Sequence, residues 1–164
     1  MRLDRFEPLL LDTIRAANHP AITRVDTFTA AGIDRPAGVS IRTATGGQID
    51  LQLVRTSPPT GDDWAKPEQP VTGPVPVRVP VPTLPAGRLP AADLEAWIVA
   101  LLTNAANPEI AEVRGFAGAP RSYHRIGVAV RCHSGAMIYA LPLHAVPAGQ
   151  TVDPRKEYHP AEVI

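Results

Sequence analysis

Cysteine is nearly missing from this 164-residue sequence. Cys132 stands alone, so no internal disulfide can form and nothing marks the chain as an oxidised, secreted scaffold. Aromatic residues supply only 5 % of the chain against an apolar share of 45 %, so a core must be built chiefly from aliphatic side chains. An excess of either charge is also absent. Sixteen acidic and sixteen basic residues balance, and neither half carries a block of like charge. That weighs against nucleic-acid or anionic-membrane partners, which normally need a basic stripe. Long apolar runs are lacking too. The opening stretch MRLDRFEPLLLDTIRAA is broken by Asp4, Glu7 and Asp12 and reads as neither a signal peptide nor a spanning helix. The expected location is the cytoplasm or an assembled particle.

Proline, with 19 residues, is what the chain has in excess. Many of these fall in Thr56–Pro90, where they rule out a central strand or a helix interior. The stretch from 59 to 90 is therefore expected to be a linker. Within it, PVPVRVPVP (Pro74–Pro82) alternates valine with proline or arginine and could lie along a sheet edge. Trp64 is expected to pin the linker to the core, with an exposed anchor as the alternative, and Asp62 and Asp63 are expected to be solvated.

On either side of this linker the chain repeats itself. GVSIRTATGGQIDLQLVRTSP (Gly38–Pro58) and GVAVRCHSGAMIYALPLHAVP (Gly127–Pro147) align without a gap, and AAN occurs at both Ala16–Asn18 and Ala105–Asn107. After a one-residue shift, ITRVDTF (Ile22–Phe28) matches IAEVRGF (Ile110–Phe116). The expected fold is α+β, an internal tandem repeat of a helix plus a three-stranded antiparallel unit. Copy one spans 1–58 and copy two 91–147, with a tail at 148–164. The helices are expected at Asp4–Ala17 and Ala91–Asn104, covering a pseudo-dimeric antiparallel sheet or sandwich. One such unit is marginal alone, and a second copy completes its core.

The hairpin registers follow from which side chains must face inward. A three-residue loop at Thr45–Gly47 pairs Val39 with Leu53, Ile41 with Leu51 and Thr43 with Ile49 inside. Outside, it sets Arg42 against Asp50 and Ser40 against Gln52. The same register in the second hairpin pairs Val128 with Pro142, Val130 with Ala140 and Cys132 with Ile138. Its outer face then carries Ala129 with Leu141, Arg131 with Tyr139 and His133 with Met137. The charged and polar pairs of copy one have become an apolar and aromatic patch, the composition of an interaction surface. Arg131, Tyr139, His133, Met137 and Leu141 are therefore the candidate partner-binding residues. The bland reading is that this face packs on the linker or on copy one.

The chemistry sought elsewhere is thin. Cys132, His133, His124 and His144 lack zinc-type spacing, and adjacent Cys132 and His133 point to opposite faces of a strand, so no metal and no cofactor is expected. Cys132 reads as a small core residue. No nucleophile elbow, P-loop or dinucleotide fingerprint is present, and no catalytic residue is assigned. Arg42 and Arg131 hold equivalent positions and could, with Arg125, grip phosphates of a nucleic acid; the quieter reading neutralises Arg42 with Asp50 and lays Arg131 over Tyr139. The leading expectation is a non-enzymatic binding or assembly protein whose partner is itself or another protein. Nucleic-acid binding and a small-ligand site between the copies are the alternatives, and no membrane is involved. In outline the tandem units are similar to the βαβββ modules of the glyoxalase and bleomycin-resistance superfamily, with Val77–Val81 supplying the first strand of copy two.

Overall fold

The computed structural model describes residues 1–117 and 125–164. The chain opens with α1 (Leu3–Ala16), followed by β1 (Ile22–Thr27), a single helical turn α2 (Phe28–Ala31), β2 (Gly38–Thr43) and β3 (Gln48–Thr56). After the linker come α3 (Ala91–Asn104), β4 (Ile110–Gly115), β5 (Val128–Cys132), β6 (Met137–Val146) and a short 3-10 turn at Pro154–Lys156. The six strands form one curled antiparallel sheet in the order β1-β2-β3-β6-β5-β4. Its long central pair, β3 and β6, joins the two halves of the chain.

Both long helices pack on one face of this sheet, because each turns an aliphatic stripe toward it. Phe6, Leu10 and Ile14 of α1 and Leu94, Trp97, Ile98 and Leu102 of α3 share one buried cluster with Val39, Ile41, Ile49, Val128, Val130, Cys132 and Ile138 of the sheet. A single core therefore draws on both halves. Cys132 sits within it as expected, and burial pushes its thiol pKa up.

Several local features recur in the two halves. Each long helix ends two residues before a left-handed residue, Asn18 or Ala106. A side-chain acceptor then caps the turn: His19 Nδ1 receives the N–H of Ala21 at 3.1 Å, and Asn107 Oδ1 that of Glu109 at 2.9 Å. A bulge follows in each strand, between Ile22 and Arg24 and between Ile110 and Glu112. A buried glutamate on α3 and its counterpart on α1 tether the next strand: Glu7 accepts the N–H of Gly38 at 2.8 Å, and Glu95 accepts those of Gly127 at 2.6 Å and Ala117 at 2.8 Å.

The hairpins close one residue earlier on each side than the side-chain pattern suggests. Thr43 N–H bonds Gly47 O and Cys132 N–H bonds Ala136 O, each at 2.9 Å. The three-residue loops are thus 44–46 and 133–135, each ending on a glycine with positive φ, Gly46 at 90° and Gly135 at 84°. Val39 faces Leu51 and Ile41 faces Ile49, while Arg42 faces Gln48 and Asp50 faces Ser40. In the second hairpin Val128 faces Ala140, Val130 faces Ile138, Ala129 faces Tyr139 and Arg131 faces Met137. Every pair slips by two, so inner and outer faces survive but the expected Arg42–Asp50 and Arg131–Tyr139 pairs do not form. A loop residue in the left-handed region decides this, because the hairpin needs its glycine last.

Residues 74–82 form no ladder with the sheet. The expected edge strand is an extended strap instead, and the βαβββ outline that required a strand at Val77–Val81 lapses with it.

Candidate functional site

The outer face of the sheet, away from the long helices, carries most of the residues singled out by sequence. Tyr139, Leu141, Met137 and His133 are only half-buried, and Arg131 is exposed. Tyr139 leans on Phe116, ring centroids 6.3 Å apart. Arg131 instead pairs with Glu112 across the strand, Nε to carboxylate 3.1 Å, with both side chains about half exposed. Such a pair contributes little in water. His133 is taken by the linker: its ring lies against Gly73, and Nε2 is 3.1 Å from the Pro74 carbonyl.

The three candidate arginines for nucleic acid are not brought together. Arg42 lies across from Gln48 at one end of β3, whereas Arg131 lies beside Met137, which pairs with Thr56 at the other end. At about 3.3 Å per residue, that puts ~26 Å of strand between their levels. Arg125 is 86 % exposed and meets Glu162 at 3.3 Å near the tail. No shared phosphate clamp follows from this arrangement.

The first part of the linker is fastened by charge. Glu68 accepts from the Met1 ammonium at 2.9 Å, the Arg2 N–H at 2.9 Å and Arg5 Nη1 at 3.0 Å. Arg5 also grips Glu109. Asp62, expected in solvent, is largely buried and receives Arg55 at 2.5 Å and Arg2 at 3.4 Å. Trp64 remains 65 % exposed, and Arg2 and Arg55 stack on its ring at 4.6 and 5.7 Å. It therefore anchors the linker through cations and not through the core.

Burial alone would push the Glu68 carboxyl up, but the hydrogen bonds from the Met1 ammonium, Arg2 and Arg5 bring it down from 4.5 to about 2. A carboxyl depressed on folding stabilises fully above its unfolded pKa and loses that contribution as pH falls from about 4.5 toward 2. Glu68→Gln is accordingly expected to lower the urea midpoint at pH 7, with the gap from wild type narrowing at pH 3. A gap equal at both pH values would mean that the carboxylate adds nothing by ionisation.

Beyond this anchor, residues 71–82 run over the surface in fixed positions. Asn104, at the end of α3, clamps Val79 with two hydrogen bonds, Val79 N–H to Oδ1 at 2.9 Å and Nδ2 to Val79 O at 2.8 Å. Gly73 N–H bonds Pro108 O at 2.8 Å. Pro74, Pro76, Pro80 and Pro82 fix their own φ and hold Gly73, Val75, Val79 and Val81 extended. The valines nevertheless face water: Val75, Val79 and Val81 are more than 40 % exposed and Val77 is 87 % exposed. Arg78 is exposed beside them and makes no ion pair among the described residues. Sequence reasoning saw this alternation but not the Asn104 clamp, since a lone asparagine at a helix end carries no signal for a partner 25 residues away.

No family model, curated protein or solved structure matches this chain. Its function must therefore be argued from geometry. Among the described residues, no cluster of three or more His, Cys, Asp or Glu side chains could hold a metal ion, and no helix is long and apolar enough to cross a membrane. His124 lies outside the described residues.

Proposed function

We propose that this protein is a non-enzymatic binding protein built from a duplicated α-β-β-β unit, and that it presents its Val71–Pro82 ridge to a protein partner. The duplication reading is supported by helices of equal length, matching left-handed residues and caps, matching bulges and hairpins, and a strand order that mirrors about β3 and β6. The rings of Phe28 and Phe116 also crowd Gly38 and Gly127 in the same way.

The binding reading rests on one observation: a valine ridge held rigid by Asn104 and by its prolines, yet exposed along its length. Water gains no contact from such a ridge, and its ordering cost is already met before a partner arrives. An extended proline-bearing segment of this kind fits an aromatic-lined groove. Arg78 calls for an acidic residue at that groove's rim. A second copy of the chain is a poorer occupant. Among the described residues only Trp64 is an aromatic ring more than half exposed, and its face is occupied by Arg2 and Arg55. Because His133 touches Pro74, the surface continues onto the Arg131, His133 and Met137 end of the second hairpin.

The test pairs wild type with Val77→Asp/Val79→Asp, using cells of the protein's own source. A partner retained by wild type, lost by the variant, displaced by a synthetic peptide of residues 72–83 and only weakly sensitive to salt would support the reading. Partner retention by a folded variant would overturn it. Release of nucleic acid as salt rises would move the function to the arginines instead.

A further inference from the structure

On the half of the outer face opposite the hydrophobic patch, Asp50 is fully buried. Gln48 Nε2 donates to both of its carboxylate oxygens, at 2.8 and 2.9 Å, and His144 Nδ1 lies 3.1 Å from Oδ2. A bulge brings His144 there. The β3–β6 register shifts between Asp50, opposite His144, and Leu51, opposite Pro142, which leaves Leu143 as the extra residue. Without the shift, Leu143 would face Asp50.

A carboxylate has no proton to give, so Nδ1 donates to Asp50 and the ring is fixed with Nε2 directed away from it. The His144 side chain is nine-tenths buried, and Nε2 has no hydrogen-bond partner among the described residues. It is not a sealed polar atom either. His144 lines a cavity of about 290 Å³ shared with the C-terminal segment, where Gln150, Thr151, Lys156 and His159 supply donors and Asp153 supplies the one acid. Asp153 is partly engaged by its own turn, accepting the Arg155 N–H at 3.0 Å. Lys156 is exposed and forms no ion pair among the described residues.

We propose that this cavity binds a small oxyanion, the phosphate or carboxylate group of a small molecule, with the imidazole of His144 and the ammonium of Lys156 as its principal contacts and Asp50 as the positioning residue that holds the ring. The size admits one such group and not a nucleotide-sized ligand. Five donor-bearing side chains in the lining against one acid favour an anion over a cation, and Lys156, whose ammonium forms no ion pair with Asp153, is free to serve it. This site is independent of the Val–Pro ridge, so either can fail without the other.

The test follows the His144 and His159 ring resonances by NMR while inorganic phosphate, acetate or matched chloride is added at constant pH. Saturable shifts of both rings with phosphate or acetate, absent with chloride, are expected, and the tighter of the two anions identifies the group. Lys156→Ala, an exposed change that leaves the fold intact, should weaken binding roughly tenfold or more. Asp50→Asn should leave the other resonances in place yet shift the His144 tautomer signature and reduce affinity. Shifts that follow chloride, or Lys156→Ala binding as well as wild type, would overturn the proposal.

Discussion

Glu95→Ala is expected to destabilise the protein by about 2–4 kcal/mol, because the buried Gly127 N–H would be left without an acceptor and the part-buried bond from Ala117 would be lost with it. Glu95 is 5 % exposed, and its carboxylate receives Gly127 N–H at 2.6 Å and Ala117 N–H at 2.8 Å, so one side chain on α3 ties both ends of the β4–β5 connection. Glu95→Gln keeps one acceptor oxygen and should lose less. Glu7 is the informative control, since it holds the single N–H of Gly38 at 2.8 Å in a half-buried setting. Its alanine variant should cost about 1 kcal/mol. Urea denaturation of the three variants reads these differences directly, and equal losses for Glu7→Ala and Glu95→Ala would refute the tether argument.

Trp97→Ala is expected to cost about 3–5 kcal/mol, the range for truncating a fully buried aromatic side chain. Trp97 is 1 % exposed, belongs to the shared core cluster and meets His19 of the first half edge to face at 5.8 Å. Its loss opens a cavity between the two halves, where neither helix can close in without leaving the sheet. Trp64→Ala, by contrast, removes a ring that is 65 % exposed and stacked only by arginines, and should stay within about 1 kcal/mol. Thermal unfolding separates the two. Similar melting shifts would mean that the linker anchor and the core contribute alike.

The same contrast shows why the hairpin faces could be read from sequence while their register could not. Side chains alternate with a period of two, so a slip of two residues returns every valine and isoleucine to the core and leaves no hydrophobic cost to betray it. The deciding signal was present in a comparison of the two loops. TATGG offers two glycines, but CHSGA has only Gly135, whose partner by alignment is Gly46. The residue common to both loops is the one that takes positive φ. With that register, Arg131 stands by Met137 and Glu112, and the anticipated stacking on Tyr139 does not arise.

Other features depended on distances no local pattern encodes. Asp62 and Asp63 look alike in sequence, yet Asp62 is buried by Arg2 and Arg55 while Asp63 stays at the surface, because only the fold brings Arg55 to the linker. Asp50 reads as an outward partner for Arg42, but it turns to His144 across the centre of the sheet, where a bulge sets the pairing.

By itself the sequence determined the two long helices, the order of the six strands and the inner and outer faces of the two hairpins, all of which arise from short-range periodicity and turn chemistry, but not the single turn α2. Only the tertiary structure decided that the two halves share one six-stranded sheet and one core, which charged groups are sealed and which valines stay in water. Those outcomes depend on residues far apart along the chain meeting in space, and the free energy of such meetings is set by packing and desolvation, to which local sequence preference is blind.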